Sequence, residues 1–328
     1  MKELDKDVST NEELGQFLKE IDNTRFSRIK SNTLNDESWV LADTVKTSLL
    51  MKLDKNPEKA RDVFFKIFQG IPTGLDIVFV LELVKENQNV LQCFSKSLNK
   101  EILIEKEFVK PFLMGKDVKR YERPYLKNWI IFPYTINENK PSLLEEKDLR
   151  TQFPLGWRYL EENRDLLIKR EDGRFSERWW QYSRPQNLLE FEKPKILTPE
   201  IANKGEMTID ENGYYYHTTK VYSLSLKPNL PESITYFLGV LNSKMLFFFL
   251  SATGYVLRGG YFTFKTDYLN PFPIRRIDFN KELDVFLYEQ VLKLVTNIIH
   301  LKSEKKDTSL FENKIDELVF HLYGLTEQ

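Results

Sequence analysis

The stretch Val109-Lys110-Pro111-Phe112-Leu113-Met114-Gly115-Lys116-Asp117-Val118-Lys119-Arg120-Tyr121 runs from an apolar segment into a loop rich in cations. Glycine at position 115 marks the loop, and three basic side chains follow it within five residues. The next apolar run, Trp129 to Tyr134, is rich in β-forming residues and contains a proline near its end, which predicts a strand. The middle of the chain is therefore organised around β-structure with a basic loop.

Upstream of this stretch, two apolar runs flank the turn-rich segment Gly70-Ile71-Pro72-Thr73-Gly74. We expect Val63 to Phe68 and Ile77 to Leu83 to be two strands joined by a tight loop. Apolar residues before Asn56-Pro57 predict a helix through Leu49, Leu50 and Leu53. The first 36 residues are polar and predict a helix from Glu12 to Ile21 followed by a linker.

Downstream, strands and helices alternate. Periodicity and turn residues predict a helix from Leu155 to Arg170, a strand from Pro194 to Pro199, a hairpin from Met207 to Leu226 around Asn212-Gly213, a helix from Ile234 to Leu250, and two helices carrying Leu287 and Phe311. The fold class predicted is a mixed α/β (α+β) fold, a mixed sheet with flanking helices and a C-terminal helical segment. We expect an N-terminal helical and linker segment over 1–36, a central domain over 37–276 and a C-terminal helical segment over 277–328.

The composition is that of a globular protein, because 41% of the 328 residues are hydrophobic and 30% are charged. A single cysteine, Cys93, excludes an intramolecular disulfide and favours the cytoplasm. The start of the chain lacks the apolar core of a signal peptide. Asn242-Ser243-Lys244 interrupts the most apolar stretch, Ile234 to Ser251, so we expect a buried helix and no membrane partner.

The net charge of −1 gives no general attraction to nucleic acid, but the charge is unevenly distributed. Residues 1–60 have a balance of −2, residues 104–135 of +3 and residues 213–276 of +5. A polyanionic partner would therefore meet the central region.

Several catalytic chemistries lack their motifs. The 13 glycines form no Gly-x-Gly and no two of the 14 prolines are adjacent, so the loops with which a DNA methyltransferase holds S-adenosylmethionine and the flipped base are missing. Gly115-Lys116 lacks the remaining residues of a P-loop. The histidines, His217, His300 and His321, have no metal-ligand spacing and are expected to be ordinary surface or helix residues.

Two further functions remain open, one catalytic and one non-catalytic. Glu145-Glu146-Lys147 and Glu304-Lys305-Lys306 match the Glu-x-Lys string of magnesium nucleases, which would make the chain a stand-alone endonuclease. The terminal helices would alternatively suit a protein-interaction adaptor.

An ordered set of motifs resembles the TaqI-like specificity domain, the target-recognition region of type IIG restriction-modification enzymes and related DNA adenine methyltransferases. The resemblance rests on the Gly70 to Asp76 entry with Phe79-Val80-Leu81, the 109–121 stretch, Trp129 to Tyr134, Trp179-Trp180, Lys193-Pro194-Lys195-Ile196-Leu197, Phe237 to Lys244, Gly259-Gly260, Pro271-Phe272-Pro273-Ile274 and the tail Ile315 to Leu325. The set covers residues 37–328, and only about 36 residues precede it. Family members usually carry the methyltransferase upstream on the same chain. The resemblance therefore implies that the methyltransferase lies on another chain or on a missing part of this one.

The resemblance implies a module that binds double-stranded DNA and supplies target choice to a methyltransferase/endonuclease domain or subunit. No cofactor is expected in this chain, since S-adenosylmethionine and magnesium would belong to the associated catalytic domains. Basic, aromatic and glycine residues in loops are the expected DNA contacts. They are Lys116, Lys119, Arg120, Arg123, Arg174, Arg178, Arg184, Tyr215, Lys220, Arg258, Gly259, Gly260 and Tyr261. The Arg258 loop is the first candidate for base reading.

Overall fold

The computed structural model describes residues 44–137, 140–254 and 256–325. The described residues belong to two units that divide between Lys55 and Asn56. Helix α1, Thr44–Asp54, belongs to the first unit and confirms the helix predicted before Asn56-Pro57. The predicted helix from Glu12 to Ile21 lies outside the described residues.

The second unit has a mixed α/β fold, which confirms the predicted class. Its strands are β1 Phe64–Gln69, β2 Val80–Glu86, β3 Val90–Ser95, β4 Lys100–Glu105, β5 Val109–Leu113, β6 Asn128–Ile131, β7 Tyr134–Asn137, β8 Lys140–Leu143, β9 Lys195–Pro199, β10 Ile201–Ala202, β11 Thr208–Asp210, β12 Tyr216–His217, β13 Val221–Leu226, β14 Val256–Leu257 and β15 Tyr261–Thr263. Its helices are α2 Ala60–Val63, α3 Asp76–Phe79, α4 Glu146–Gln152, α5 Pro154–Glu162, α6 Arg164–Lys169, α7 Ile234–Asn242, α8 Lys244–Thr253, α9 Thr266–Leu269, α10 Glu282–Ser303 and α11 Ser309–Leu322.

A six-stranded sheet, in the order β12-β5-β6-β2-β3-β4, supports the main hydrophobic core. Its neighbouring strands are antiparallel except β12 and β5, which run parallel. Aromatic side chains fill the core, and the rings of Trp157, Trp179 and Trp180 lie 5.2–5.6 Å apart between centroids. The strand predicted from Trp129 to Tyr134 is confirmed in its first part as β6, which ends at Ile131; Tyr134 begins β7, which pairs with β8.

A four-stranded antiparallel sheet, in the order β1-β13-β9-β11, forms the second layer. The strand predicted between Pro194 and Pro199 is confirmed as β9. Because β1 lies in this sheet and β2 in the other, the two strands predicted around Gly70 exist but do not pair. The second run, predicted from Ile77, begins inside a short helix, Asp76–Phe79, and becomes a strand only at Val80.

The hairpin predicted around Asn212-Gly213 is wrong. The turn is present, with Gly213 at φ +64°, but β11 pairs with β9, whereas β12 pairs with β5 of the other sheet. The carboxylate of Asp210 accepts hydrogen bonds from the amides of Tyr214 and Tyr215, both at 2.9 Å. These bonds turn the chain away from β11, so residues 211–217 cross from one sheet to the other.

The single helix predicted from Ile234 to Leu250 is two helices, α7 and α8. The hydroxyl of Ser243 caps α8 by accepting a hydrogen bond from the Met245 amide at 3.3 Å, and the extended backbone of Ser243 ends α7. No single helix among the described residues has the length and hydropathy to cross a membrane; α7 and α8 meet that criterion only when taken together across a 56° bend.

The C-terminal helices α10 and α11 pack on α7 and α8. Gly239 of α7 allows a close approach, because a Cβ atom there would lie 2.8 Å from Cγ1 of Val291 in α10. Residues 56–328 thus form one compact unit. The segment boundaries at 36/37 and 276/277 remain predictions.

Candidate nucleic-acid interface

The turn Gly115–Asp117 follows β5 and is closed by hydrogen bonds of the Asp117 side chain and of its own backbone. The Asp117 carboxylate accepts a hydrogen bond from the Met114 amide at 2.8 Å, and the Asp117 amide donates to the Met114 carbonyl at 2.9 Å. The Val118 amide donates to the Gly115 carbonyl at 3.4 Å. These amides are engaged within the turn, so its anion-binding capacity lies mainly in the exposed side chains of Lys116 and Lys119.

The parallel pairing of β5 with β12 brings Lys220 to this turn. The Thr218 amide continues the pairing by donating to the Leu113 carbonyl at 3.0 Å. A Cβ atom on Gly115 would lie 3.2 Å from Cβ of Lys220, so glycine permits the two segments to touch. Lys116 and Lys119 therefore share one site with Lys220, which follows them by about 100 positions in the sequence.

The shared site is an open cleft of about 640 Å³ whose walls are predominantly charged. Its charged side chains are Lys116, Lys119, Arg120, Lys204, Lys220 and Lys302, with Glu122, Glu200, Glu206 and Glu312. Lys220 pairs with Glu200 at 3.0 Å and Lys302 with Glu312 at 3.4 Å. Within the described ranges, Lys116, Lys119 and Lys204 have no carboxylate partner within 4 Å, so they are the cations most available to a bound anion.

The sequence prediction missed Lys204 and Lys302. Lys204 lies in the connection between β10 and β11, next to Gly205, and this lysine-glycine pairing resembles the one at Gly115-Lys116. Lys302 lies in the last turn of α10, which periodicity alone describes as part of a packing helix. No local pattern indicates that this helix end reaches the cleft.

Arg120 lies in the wall of the cleft with its guanidinium already bound. Its Nε pairs with Glu312 of α11 at 2.5 Å, and its Nη1 donates to the carbonyl oxygens of Gly205, at 2.9 Å, and Asn242. The side chain is only 14% exposed. This geometry connects the basic turn to α7 and α11, and it favours a positioning role for Arg120 over the DNA contact predicted from the sequence.

Arg258 lies at the tip of the β14–β15 hairpin. Gly259 and Gly260 have φ values of +84° and +76°, a conformation that glycine adopts without strain. Arg258 and Tyr261 are exposed on either side of these glycines. Strand β15 pairs with β10, whose Ile201 lines the cleft, so the hairpin continues the sheet that begins at the cleft wall.

The arginines around Trp179 form a separate group that does not line the cleft. Arg174 lies 4.0 Å from Glu171 and Arg178 lies 3.7 Å from Glu145, and both arginines are exposed. Arg184 is exposed and its amide donates to the Pro72 carbonyl at 3.2 Å. Between these arginines, Trp179, Trp180 and Tyr182 are buried in the core.

Tyr215 is half-buried and supports neighbouring segments. Its hydroxyl donates to the Pro124 carbonyl at 3.2 Å, and its ring packs on a small cluster that includes Val118 and Val221. Burial raises the pKa of this hydroxyl, which stays protonated at neutral pH. Arg123, one residue before that proline, is exposed.

Ion pairs neutralise most of the basic segment 213–276. Carboxylates from other parts of the chain pair with five of its seven cations: Lys220 and Lys265 with Glu200, Lys244 with Asp316, Arg275 with Asp284 and Arg276 with Glu58. Lys227 and Arg258 have no such partner among the described residues. The surplus of +5 in the sequence is therefore not a surplus on the surface.

A buried ion pair lies beneath the chain crossing that leads to the cleft. Lys195 and Asp210 are 0% and 2% exposed, and their Nζ and Oδ2 atoms are 2.6 Å apart. Burial lowers the pKa of Lys195, and the charge and hydrogen bond of Asp210 oppose that shift. The sequence shows one member of this pair, Lys195, as a lysine inside a β-rich run bounded by prolines. It gives no sign that Asp210 is its partner.

The remaining titratable candidates are the three histidines and the glutamates of the two Glu-x-Lys strings. His217 is wholly buried in β12, contrary to the surface or helix position expected; burial lowers its pKa to about 3, and it is therefore neutral at pH 7. His300 and His321 are exposed on helices, as expected. Glu145 and Glu304 of the Glu-x-Lys strings pair with Arg178 and Lys306. Within the described ranges, no three His, Cys, Asp or Glu side chains are grouped to hold a metal ion.

Comparison with known proteins places the site within a family. The model of the TaqI-like C-terminal specificity domain matches residues 110–274, half of the chain, which include most of the cleft and the Arg258 hairpin. The type II restriction enzyme and methyltransferase RM.Eco57I of Escherichia coli is 22% identical over 312 residues, covering 89% of this chain and 31% of that protein. The type II methyltransferase M.HindII of Haemophilus influenzae is 29% identical over 167 residues, covering 48% and 32%.

A solved structure has the same fold. The type IIL restriction-modification enzyme MmeI, determined in complex with DNA, superposes with a TM-score of 0.51 at 13% identity, covering 83% of this chain and 34% of that one. The chain spans about a third of the length of the curated relatives it matches. Because the family model matches half of its length, this chain belongs to the TaqI-like C-terminal specificity domain family.

Proposed function

We propose that this chain is the DNA target-recognition module of a type II restriction-modification enzyme, and that it supplies target choice to an adenine methyltransferase/endonuclease carried elsewhere. The observation that carries the proposal is the convergence of Lys116, Lys119, Lys204 and Lys220 on one cleft, within the range matched by the specificity-domain family. An open, charged cleft suits an extended polyanion better than a small apolar ligand.

Within this proposal, the cleft and the hairpin have different tasks. Lysine side chains contact phosphates as flexible point charges, which orient DNA without reading its sequence. An arginine on a narrow hairpin suits base-edge recognition, because guanidinium donates two parallel hydrogen bonds to guanine O6 and N7 in the major groove. Arg258 is the candidate for that contact, with Gly259 and Gly260 allowing close approach of the backbone.

The test of the proposed function is the salt dependence of duplex binding by the full chain. Fluorescence anisotropy of a labelled duplex should give non-specific dissociation constants of about 10⁻⁴–10⁻⁶ M near physiological salt, with weaker binding as salt rises. Replacing Lys116, Lys119 and Lys204 together with glutamine should weaken binding and reduce the slope of log K against log salt by up to about three, roughly one for each phosphate that a lysine no longer neutralises.

The matched control removes three exposed lysines outside the cleft, Lys281, Lys293 and Lys314. This variant has the same net charge as the cleft variant, so it separates the position of the charges from their number. Equal loss of affinity in the two triple variants would contradict the assignment of the cleft. Failure of the unaltered chain to bind duplex at low salt would contradict the proposed function as a whole.

A further inference from the structure

The loop of residues 121–127, between the cleft and β6, presents alternate side chains to solvent. Tyr121, Pro124 and Leu126 are buried or half-buried, whereas Arg123, Tyr125 and Lys127 are exposed. The ring of Tyr125 is 82% exposed, a large value for an aromatic side chain. One side of the 121–127 loop is therefore a row of cation, aromatic ring and cation.

Hydrogen bonds from several distant segments hold this loop in place. The Thr208 hydroxyl donates to the Glu122 carbonyl at 2.6 Å, and the Tyr215 hydroxyl donates to the Pro124 carbonyl at 3.2 Å. At the two ends, the Tyr121 amide donates to the Met207 carbonyl at 2.9 Å and the Leu83 amide donates to the Lys127 carbonyl at 2.8 Å. The backbone is thus tied to β2, β11 and the crossing before β12.

The start of the loop has a strained backbone. Tyr121 has φ +58°, in the left-handed region that a large side chain rarely adopts. Its ring is wholly buried, with the Arg120 guanidinium 4.9 Å from the ring centroid. Such conformations persist only where surrounding contacts determine them, and they occur preferentially at functional sites.

The outward row is available for binding. Among the described residues, the Tyr125 ring has no aromatic partner and its hydroxyl has no hydrogen-bond partner, and Arg123 has no carboxylate within 4 Å. Lys127 pairs with Glu82 at 3.0 Å, but about half of its side chain is exposed. A rigid loop loses little conformational entropy when it binds, so an exposed ring held in this way is suited to a contact.

We propose that the 121–127 loop is a nucleic-acid contact, in which Tyr125 stacks on a nucleobase while Arg123 and Lys127 bind phosphates of the same strand. This inference rests on the proposed function and deepens it. Cations flanking an aromatic ring are the arrangement with which proteins hold unstacked bases, because every base offers a π face and every linkage a negative charge. Lys119 and Glu122 line the cleft, so the loop continues its wall.

The experiment compares a fully paired duplex with the same duplex carrying a single-nucleotide bulge, which exposes a base for stacking. The unaltered full chain should bind the bulged duplex more tightly. Y125A and Y125L should lose roughly tenfold in affinity for the bulged duplex, the range measured for single base–aromatic stacks, with an unchanged salt slope because tyrosine is neutral. Y125F and Y125W should keep the preference for the bulged duplex. R123Q should reduce the slope of log K against log salt by about one and should also keep that preference.

The control is F286A, which removes another exposed aromatic ring, on α10, and should leave both affinities unchanged. If the chain binds both duplexes and Y125A keeps the same ratio of affinities for the bulged and the fully paired duplex as the unaltered chain, Tyr125 does not contact a base and the proposal fails. The same result is expected if Tyr125 binds a protein partner instead. If the unaltered chain binds neither duplex, the proposed function fails as well, so the two results are distinguishable.

Discussion

Lys195 and Asp210 form a buried ion pair beneath the chain crossing that leads to the cleft. Asp210 binds the Lys195 ammonium and, with its two oxygens, the amides of Tyr214 and Tyr215. These three bonds direct the chain from β11 across to β12, and from there Lys220 reaches the cleft. Both side chains are closed to water, so the removal of either one leaves the charge of the other buried without a partner of opposite sign.

We expect Lys195→Met to lower the free energy of unfolding by about 3–5 kcal/mol, because it leaves the Asp210 carboxylate buried without its counter-charge. Urea denaturation of the full chain measures this. The control is Lys100→Met, which removes a pair with Glu162 that is exposed on both sides and should cost less than about 1 kcal/mol. A Lys195 variant as stable as the Lys100 variant would contradict the role assigned to the buried pair.

The same residues explain what the sequence could predict here. Asn212-Gly213 predicted a turn, and Gly213 does adopt a positive φ. The pairing of the arms was not predictable from local pattern, because Asp210 and Lys195 set it across 15 positions. Likewise, local charge predicted a basic segment over 213–276, whereas carboxylates as distant as Glu58 and Asp316 pair with its cations.

At the scale of elements, strands and helices with a clear period were predicted well. Strands β6 and β9 and helices α10 and α11 match the predicted runs because apolar spacing alone defines them. The polar residues Asn242-Ser243-Lys244 interrupt the apolar stretch but do not by themselves predict a helix end, so the break between α7 and α8 was missed; the cap at Ser243 produces it. The cleft was also beyond local prediction, because the turn after β5, residues 199–206, Lys220 and the helices α10 and α11 contribute to it from distant parts of the sequence.

The contact between α7 and α10 depends on Gly239. A valine there would press on Val291, so Gly239→Val should lower the free energy of unfolding by roughly 1–3 kcal/mol, as overpacked cores do. Combining it with Val291→Ala should restore part of that loss, because the new side chain then occupies the vacated space. Urea denaturation of the two single variants and the double variant measures the coupling; strictly additive losses would contradict the close packing of these helices.

At the scale of the whole molecule, ion pairs make stability depend on pH. Burial alone would raise the pKa of Glu232 and of Glu312, but Arg276 and Arg120 outweigh it, and both pKa values lie below the ordinary 4.5. A carboxylate with a lowered pKa in the folded state contributes stability above pH 4.5, and the contribution is lost as pH falls through the folded value.

The midpoint of thermal unfolding should therefore fall as pH drops below about 4.5, and Arg276→Gln should make that fall shallower. The comparison variant is Arg174→Gln, whose exposed pair spans 4.0 Å and should not alter the profile. Scanning calorimetry across this pH range measures the effect. An Arg276 variant with the unaltered pH profile would contradict the role of its ion pairs.

The whole molecule is proposed to choose a DNA sequence, with the cleft binding phosphates and the hairpin reading bases. Selection of bound sites from a randomised duplex pool by the full chain tests this claim most directly. We predict that one motif is enriched, and that Arg258→Ala relaxes the preference at a guanine position while other positions stay selected, since one bidentate contact supplies about 1–3 kcal/mol of discrimination. A pool that binds at low salt yet remains random after selection would contradict the account.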